Sequence, residues 1–172
     1  MSRVVVTDAN VFINLVRADL VALLAQVTDR EFVIPDAVLE EITYPEQRTV
    51  IDDAIADGTL RLVRLEDPDG LADYAALRDR MGRGEATCLA LAGLNAEWLL
   101  ASDERRVFRR IAIARIGVER ILTTPGIILH MIKGGVLGVE EADRAKAKLE
   151  AHRFKMAFES FRTLIDDDRN EH

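Results

Sequence analysis

The stretch that decides the fold is "RVVVTDANVFINLVRADLVALLAQV", residues 3–27. Its first part, "RVVVTD", is a short β-branched run that is typical of a buried strand, and the rest has the apolar spacing of an amphipathic helix. Asn10 stands at the junction, where we expect it to cap a helix over residues 11–27. The stretch therefore predicts a strand followed by a helix, with Asp8 at the end of the strand.

The rest of the chain repeats this alternation. Further strands are predicted at "EFVIP" (31–35), "TLRLVRLE" (59–66), "EWLLASD" (97–103) and "VERILTT" (118–124). Helices are predicted at 36–42, 46–58, 71–81, 82–92, 104–115 and 125–135, with "DPDG" (67–70) as a turn. Alternating strands and helices predict an α/β fold with a mainly parallel central sheet and helices on both faces. Residues 1–135 form the expected main unit, and 136–172 a charged helical C-terminal extension of the same domain that ends in the acidic tail "DDDRNEH".

Length and composition narrow the class of protein. A chain of 172 residues, 49% of them hydrophobic, fits one globular domain with its own core. Cys88 is the only cysteine, so no intrachain disulfide is possible and a small core residue is expected. The net charge of −7 argues against a general nucleic-acid-coating protein, and three histidines argue against a closed zinc site. With no signal-type segment and no apolar stretch of spanning length, we expect a soluble, cytoplasmic protein without a membrane partner.

Four acidic residues stand where an open parallel sheet binds its ligands, outside the carboxyl ends of the strands. Asp8 and Asp103 follow apolar strands, Glu41 lies in the helix after the second strand, and Glu85 heads the helical run "GRGEATCLALA" (82–92). Each has an ordinary alternative role as a turn or cap residue, a solvated helix carboxylate or a first-turn helix stabiliser. Two apolar strands that both end in aspartate at one sheet edge favour a shared cleft.

The ordered set "VVVTDAN", "IPDAVLEEI", "GRGEATCLALA" and "LLASDERR" resembles the PIN domain, the metal-dependent ribonuclease fold of VapC-type toxins in toxin–antitoxin pairs. The resemblance covers residues 3–135. It implies that Asp8, Glu41, Glu85 and Asp103 are the catalytic and metal-binding residues, and that the substrate is RNA. It also implies an antitoxin protein as partner and a homodimer, for which the apolar run "GIILHMIKGGVL" (126–137) offers a surface that one small domain need not cover.

Two assignments within this resemblance stay open. Glu40 and Glu41 are adjacent, and we prefer Glu41 because the apolar Ile42 follows it, as in the family. Asn10 serves either as the helix cap or as a hydrogen-bond partner that orients a metal-binding carboxylate from behind.

Crowded carboxylates raise one another's pKa and are stable as anions only when a cation neutralises them. Oxygen ligands suit Mg²⁺ or Mn²⁺, as one ion or two, and such an ion activates water and stabilises charge on a phosphate. Asp8 and Asp103 are the expected central ligands, while Glu41 and Glu85 complete the shell or orient water.

Arginines near these acids suggest how RNA approaches. Arg105, Arg106, Arg109 and Arg110 are predicted in pairs one helical turn apart, and Arg83 precedes Glu85. A basic rim beside the acidic cleft is one interpretation, and a solvated helix face is the other.

Three other functions compete with this interpretation. A response-regulator receiver needs an acidic pair after the first strand and a late lysine, which "TDAN" and "LTTP" lack. A haloacid-dehalogenase-type phosphatase needs an aspartate at position 10, where asparagine stands. The remaining alternative is a catalytically inactive PIN-like scaffold that binds protein or RNA.

Overall fold

The centre of the molecule is a five-stranded parallel sheet. The computed structural model describes residues 2–170. The strands are β1 (Arg3–Thr7), β2 (Arg30–Pro35), β3 (Arg61–Val63), β4 (Leu99–Ala101) and β5 (Ile121–Leu122), in the spatial order β3-β2-β1-β4-β5. Every neighbouring pair is parallel. The predicted α/β fold with a parallel sheet is confirmed.

Nine α-helices surround the sheet in the described part of the chain. They are α1 (Ala9–Arg17), α2 (Asp36–Glu41), α3 (Pro45–Ala56), α4 (Pro68–Leu77), α5 (Arg83–Leu94), α6 (Val107–Ile116), α7 (Thr124–Lys133), α8 (Val139–Ala151) and α9 (Phe161–Asn170), with short 3₁₀ turns at Val21–Gln26 and Val118–Arg120. None of the helices within residues 2–170 has the length and apolarity that crossing a bilayer requires.

β1 is the central strand, and its side chains anchor the core. Val5 and Val6 are fully buried. Val5 is in register with Phe32 of β2 on one side and with Leu99 of β4 on the other. A strand that is buried on both faces needs a continuous apolar run, which explains the uninterrupted valines of β1.

The chain adds β2 and β3 on one side of β1 and then crosses to the other side of β1 to add β4 and β5. Strands β1, β2 and β3 succeed one another towards one edge, and β4 and β5 towards the other. Right-handed crossovers in opposite directions place the connecting helices on opposite faces of the sheet. The carboxyl ends of β1 and β4 therefore form the switch point at which open α/β sheets bind ligands.

Helix α5 is buried on nearly all sides. Residues 86–92, "ATCLALA", are all buried, including Cys88, which is the small core residue expected from the sequence. Small side chains let this helix lie close to α2, α4, β1 and β4, which it contacts. Its first turn is consequently held rigidly at the carboxyl edge of the sheet.

The predicted helix over residues 11–27 is wrong as a single element. α1 ends at Arg17, Asp19 adopts a left-handed conformation with φ of 57°, and a 3₁₀ turn follows at Val21–Gln26. Asn10 is also not the cap. Asp8 caps α1, and its Oδ1 accepts a 2.8 Å hydrogen bond from the Ala9 amide. Asp8, which directly follows β1, is thus also the N-cap residue of α1.

Other boundaries also differ from the prediction. "DPDG" is not a turn, because Asp67 accepts hydrogen bonds from the amides of Asp69 and Gly70 and so caps α4. α6 begins at Val107, and Arg106 before it has a left-handed φ of 61°. Residues 166–170 of the expected acidic tail belong to α9, while residues 171 and 172 lie outside the described residues.

The C-terminal helices cover the apolar run of α7. Ile127, Ile128, Met131 and Leu137 are buried, and Phe161 at the start of α9 is fully buried. α7 contacts both α8 and α9. The run "GIILHMIKGGVL" is therefore largely covered within the chain itself, and it is not the exposed apolar surface that the sequence analysis offered for a homodimer.

Candidate functional site

Four carboxylates line one open cleft at the carboxyl edge of β1 and β4. They are those of Asp8, Glu41, Glu85 and Glu104, and we call this cleft the acidic cleft. Three of the four acids expected from the sequence are brought together here. The fourth, Asp103, lies beside the cleft and lines a neighbouring groove instead.

Asp8 is the most buried of these acids, with a side chain that is 3% exposed. Its backbone amide donates a 3.0 Å hydrogen bond to the Ala101 carbonyl, which fixes it one residue beyond the paired ends of β1 and β4. The pKa of Asp8 is raised to about 7, chiefly because the side chain is buried; the hydrogen bond from the Ala9 amide lowers it, and the negative charges of Glu85, Glu41 and Glu104 add to the rise. Without a cation, Asp8 is therefore partly protonated at neutral pH.

Glu41 and Glu40 face different partners although they are adjacent in α2. Glu41 lines the acidic cleft, and its Oε1 accepts a 2.9 Å hydrogen bond from the Gly84 amide. A Cβ at position 84 would lie 2.6 Å from Glu41 Oε2 and would push the carboxylate out of this position. Glu40 instead forms a 3.2 Å ion pair with Arg83 at the surface. This geometry supports Glu41 as the residue of the cleft.

The Glu85 carboxylate caps the start of α5 and also lines the acidic cleft. Its Oε2 accepts a 3.1 Å hydrogen bond from the Gly82 amide, which stabilises the start of α5. The same side chain lines the acidic cleft. Burial raises the pKa of Glu85, the Gly82 amide opposes this, and the charges of Glu104 and Glu41 raise it further. The helix-start position thus delivers the carboxylate to the cleft.

The Asp103 carboxylate is occupied by neighbouring donors. Its Oδ1 accepts a 2.7 Å hydrogen bond from the Thr124 amide, and its Oδ2 accepts from the Thr124 hydroxyl at 2.5 Å and from Asn14 Nδ2 at 3.0 Å. These bonds tie the end of β4 to the start of α7 and to α1. Asp103 therefore connects elements around the cleft, and in this structure it is not one of the four carboxylates that line it.

Glu104 is the cleft residue that the sequence analysis missed. Its amide donates a 3.1 Å hydrogen bond to Ser102 Oγ, and its Oε1 accepts a 3.0 Å hydrogen bond from Asn10 Nδ2. The signal in the sequence was the adjacent pair "DE" at 103 and 104, which carries the same ambiguity as Glu40 and Glu41. Asn10 therefore donates a hydrogen bond to a carboxylate of the cleft, and that carboxylate belongs to Glu104.

The donor set fits a hard divalent cation. Carboxylate oxygens are the ligands that Mg²⁺ and Mn²⁺ prefer. Asn10 Oδ1 adds a buried oxygen that has no hydrogen-bond partner among the described residues. Within residues 2–170, no three acidic, histidine or cysteine side chains stand close enough to hold one ion by themselves. The cleft thus surrounds an open volume with oxygen donors, which suits an ion that keeps several waters.

Comparison with known protein families identifies one match. The sequence matches the family described as PIN domain over residues 4–167, which include all four carboxylates of the acidic cleft and Asp103. A search of curated proteins finds no significant match to the chain.

Proposed function

Because the chain belongs to the PIN-domain family, whose members are generally nucleases, we propose that it is a Mg²⁺- or Mn²⁺-dependent endoribonuclease. The observation that carries this proposal is the convergence of Asp8, Glu41, Glu85 and Glu104 on one cleft at the switch point of the sheet. Four carboxylates from separate parts of the chain repel one another when they are brought together, and a bound divalent cation neutralises that repulsion.

In this proposal the four acidic residues have different roles, either in binding the metal ion or in accepting a proton. A bound divalent ion lowers the pKa of coordinated water and offsets negative charge on the scissile phosphate. Asp8, Glu41 and Glu104 would bind the ion directly or through its coordinated waters, and Asn10 orients Glu104 through its 3.0 Å hydrogen bond. Glu85 is partly exposed and its pKa is raised, so it is suited to accept a proton from the attacking water.

Asp103 supports the site indirectly. Its hydrogen bonds to Thr124 and Asn14 fix the turn that follows β4, and that turn carries Glu104. Supporting contacts of this kind hold reacting groups within the narrow geometry that catalysis requires.

We further propose that the protein is the toxin of a toxin–antitoxin pair, with an antitoxin protein as partner and a homodimer as its assembly. This part rests on the resemblance of its four motifs to VapC-type toxins. A small reading frame beside the gene, encoding a product that binds this chain and suppresses its cleavage of RNA, is the expected companion.

The test is cleavage of RNA by the purified chain in Mg²⁺, in Mn²⁺ and in excess EDTA, with a DNA of the same sequence as the comparison. We expect internal cuts in RNA that require metal and disappear in Asp8→Asn. Intact RNA with every metal, from a folded protein that still binds RNA, would instead identify the chain as an inactive scaffold. Cleavage that persists in EDTA would overturn the metal dependence.

A further inference from the structure

A second concavity adjoins the acidic cleft, and Glu104 lines both. This side groove has a volume of about 490 Å³, within the roughly 300–1,000 Å³ that small-molecule sites occupy. One wall is the turn after β4 with the first part of α6, and the other is the segment 154–158 that follows α8. A ligand that fills the side groove therefore continues directly into the acidic cleft.

Cations line both walls of the side groove. Arg105 and Arg109 lie on the α6 side, and Lys155 lies on the opposite segment. Within residues 2–170, none of these three forms an ion pair. Asp103 and Glu104 also line the side groove, so its cations outnumber its carboxylates three to two, and this local excess in a chain with a net charge of −7 favours an anionic ligand.

Apolar side chains interrupt these cations. Phe154, Met156 and Phe158 line the side groove, and each is half-buried, while Lys155 and Ala157 between them are exposed. The Phe158 ring lies edge-on to the fully buried Phe161, with 4.9 Å between ring centroids. Lys146 Nζ also lies over this ring, 6.0 Å from its centroid, so two contacts pack against Phe158 where it lines the groove beside the cations.

The segment that carries these side chains is held at both ends. The Phe154 amide donates a 3.0 Å hydrogen bond to the Leu149 carbonyl, and Asp143 accepts from the Ser160 hydroxyl at 2.6 Å and from the Phe161 amide at 2.9 Å. Between these anchors, the backbone of residues 155–159 makes no backbone hydrogen bond within the described part of the chain. The wall is fixed in place and still offers polar groups to a ligand.

We propose that the side groove binds the nucleotide next to the scissile phosphate of a single-stranded RNA. The base stacks against Phe154 or Phe158, and its phosphate lies between Arg105, Arg109 and Lys155. Aromatic stacking beside cations that track the backbone is how single-stranded nucleic acids are bound. A run of carboxylates in an acidic peptide lacks the flat apolar face that the two phenylalanines would contact. This inference rests on the proposed function, because the RNA is the substrate of the acidic cleft.

The experiment measures the affinity of the full chain for a fluorescent single-stranded oligoribonucleotide at several salt concentrations. The chain carries Asp8→Asn so that the RNA stays intact. Arg109→Ala and Lys155→Ala should each weaken binding and reduce the salt slope by about 0.7, the value for one phosphate contact on a single strand. Arg110→Ala is the matched control, since Arg110 is exposed on the same helix and does not line the side groove.

Stacking is tested separately from charge. Phe158→Leu keeps an apolar side chain against Phe161, and it should weaken binding about fivefold or more while leaving the salt slope unchanged. A thermal melt that matches the parent chain shows that this variant is folded. Should it not fold, a 4-thiouridine oligonucleotide cross-linked to the parent chain must label residues 154–158.

The outcomes separate this inference from the proposed function. Equal affinity of the groove variants and Arg110→Ala, together with metal-dependent cleavage by the unmodified chain, would overturn the side groove and leave the nuclease standing. RNA binding that depends on the groove residues, without any cleavage by the unmodified chain, would overturn the nuclease proposal and support the side groove as an RNA site. Competition by a polyglutamate peptide as strong as that by RNA of equal charge would reassign the groove to an acidic peptide.

Discussion

The amide of Gly84 donates a 2.9 Å hydrogen bond to Glu41 Oε1, and this contact joins the first turn of α5 to the last turn of α2. A hydrogen bond from a backbone amide orients a carboxylate without depending on a flexible side chain. The glycine is needed because a Cβ there would lie within 3 Å of three atoms of the Glu41 carboxylate group.

Gly84→Ala should therefore displace the Glu41 carboxylate while preserving the fold. We expect Mg²⁺ affinity and RNA cleavage to fall about 10–100-fold, as when a metal ligand loses its supporting contact. The free energy of unfolding should stay the same or rise by up to about 1 kcal/mol, because alanine favours a helix. Gly93→Ala is the control, since Gly93 lies exposed in the same helix with its nearest contact at 3.7 Å. Equal activity of the two variants would contradict the prediction.

Glu41→Gln and Glu40→Gln should differ sharply. Glu41→Gln removes a charge from the acidic cleft, and we expect cleavage to fall at least about a hundredfold. Glu40→Gln breaks only an ion pair between two side chains that are 57% and 61% exposed, so we expect cleavage and folding stability to change little. Single-turnover cleavage and isothermal titration with Mn²⁺ measure both effects. Loss of activity in Glu40→Gln alone would transfer the role to Glu40.

Asp8 makes the stability of the metal-free protein depend on pH. Its pKa is raised from 3.8 to about 7 in the folded state, so the folded chain holds a proton that the unfolded chain releases. The destabilising effect of Asp8 is absent below pH 4, grows as the pH rises towards 7, and is complete above 7. At its full extent it amounts to at most about 4 kcal/mol, the value of this shift in pKa.

Urea unfolding in EDTA at pH 4.5 and pH 8 tests this dependence. Asp8→Asn keeps an oxygen that can accept from the Ala9 amide, and it should be more stable than the parent chain at pH 8 and similar to it at pH 4.5. Asp166→Asn, on the exposed face of α9, should show no such difference between the two pH values. An Asp8→Asn chain that is less stable than the parent at pH 8 would refute the account of Asp8.

Loss of the Asp103 charge should lower folding stability, whereas loss of the Glu104 charge should lower RNA cleavage and leave folding stability nearly unchanged. Asp103→Asn turns an amide group towards Asn14 Nδ2 or the Thr124 amide, and the lost hydrogen bonds should cost about 1–3 kcal/mol of folding stability. Glu104→Gln affects a more exposed side chain, so its unfolding free energy should change by less than about 0.5 kcal/mol. RNA cleavage should nevertheless fall in Glu104→Gln. If Glu104→Gln cleaves at the parent rate, Glu104 is not part of the machinery.

Divalent metal should raise the melting temperature of the folded chain. Binding to the acidic cleft and not to the unfolded chain stabilises by about 2.7 kcal/mol at a metal concentration of 100 times Kd. For a domain of this size that corresponds to about 5–10 °C. Differential scanning fluorimetry in Mg²⁺, Mn²⁺ and EDTA measures it, with Asp8→Asn as the control that should respond less. A shift of the same size in Asp8→Asn would place the metal elsewhere.

The sequence predicted the parts of this structure that depend on patterns repeated over many residues. Alternating strands and helices fixed the sheet, and the acidic residues after β1, before α5 and in α2 were placed at one edge. The features that the sequence did not predict depend on the backbone conformation of single residues or on which of two adjacent acidic residues faces the cleft. Asp19 interrupts a helix through its left-handed conformation, which periodicity does not register, and Asp103 turns towards Thr124 while Glu104 turns into the cleft. Only three-dimensional neighbours decide which of two adjacent carboxylates faces a site.

The place of β1 in the sheet has a consequence for how the protein is made. β1 pairs on one side with β2, but its other edge pairs with β4, whose residues are synthesised more than ninety positions later. Until residues 99–101 leave the ribosome, that edge offers unpaired backbone groups to any passing strand. Glu104 follows β4 in the chain and joins Asp8 only when β4 docks. The same event therefore pairs the open edge of β1 and completes the acidic cleft.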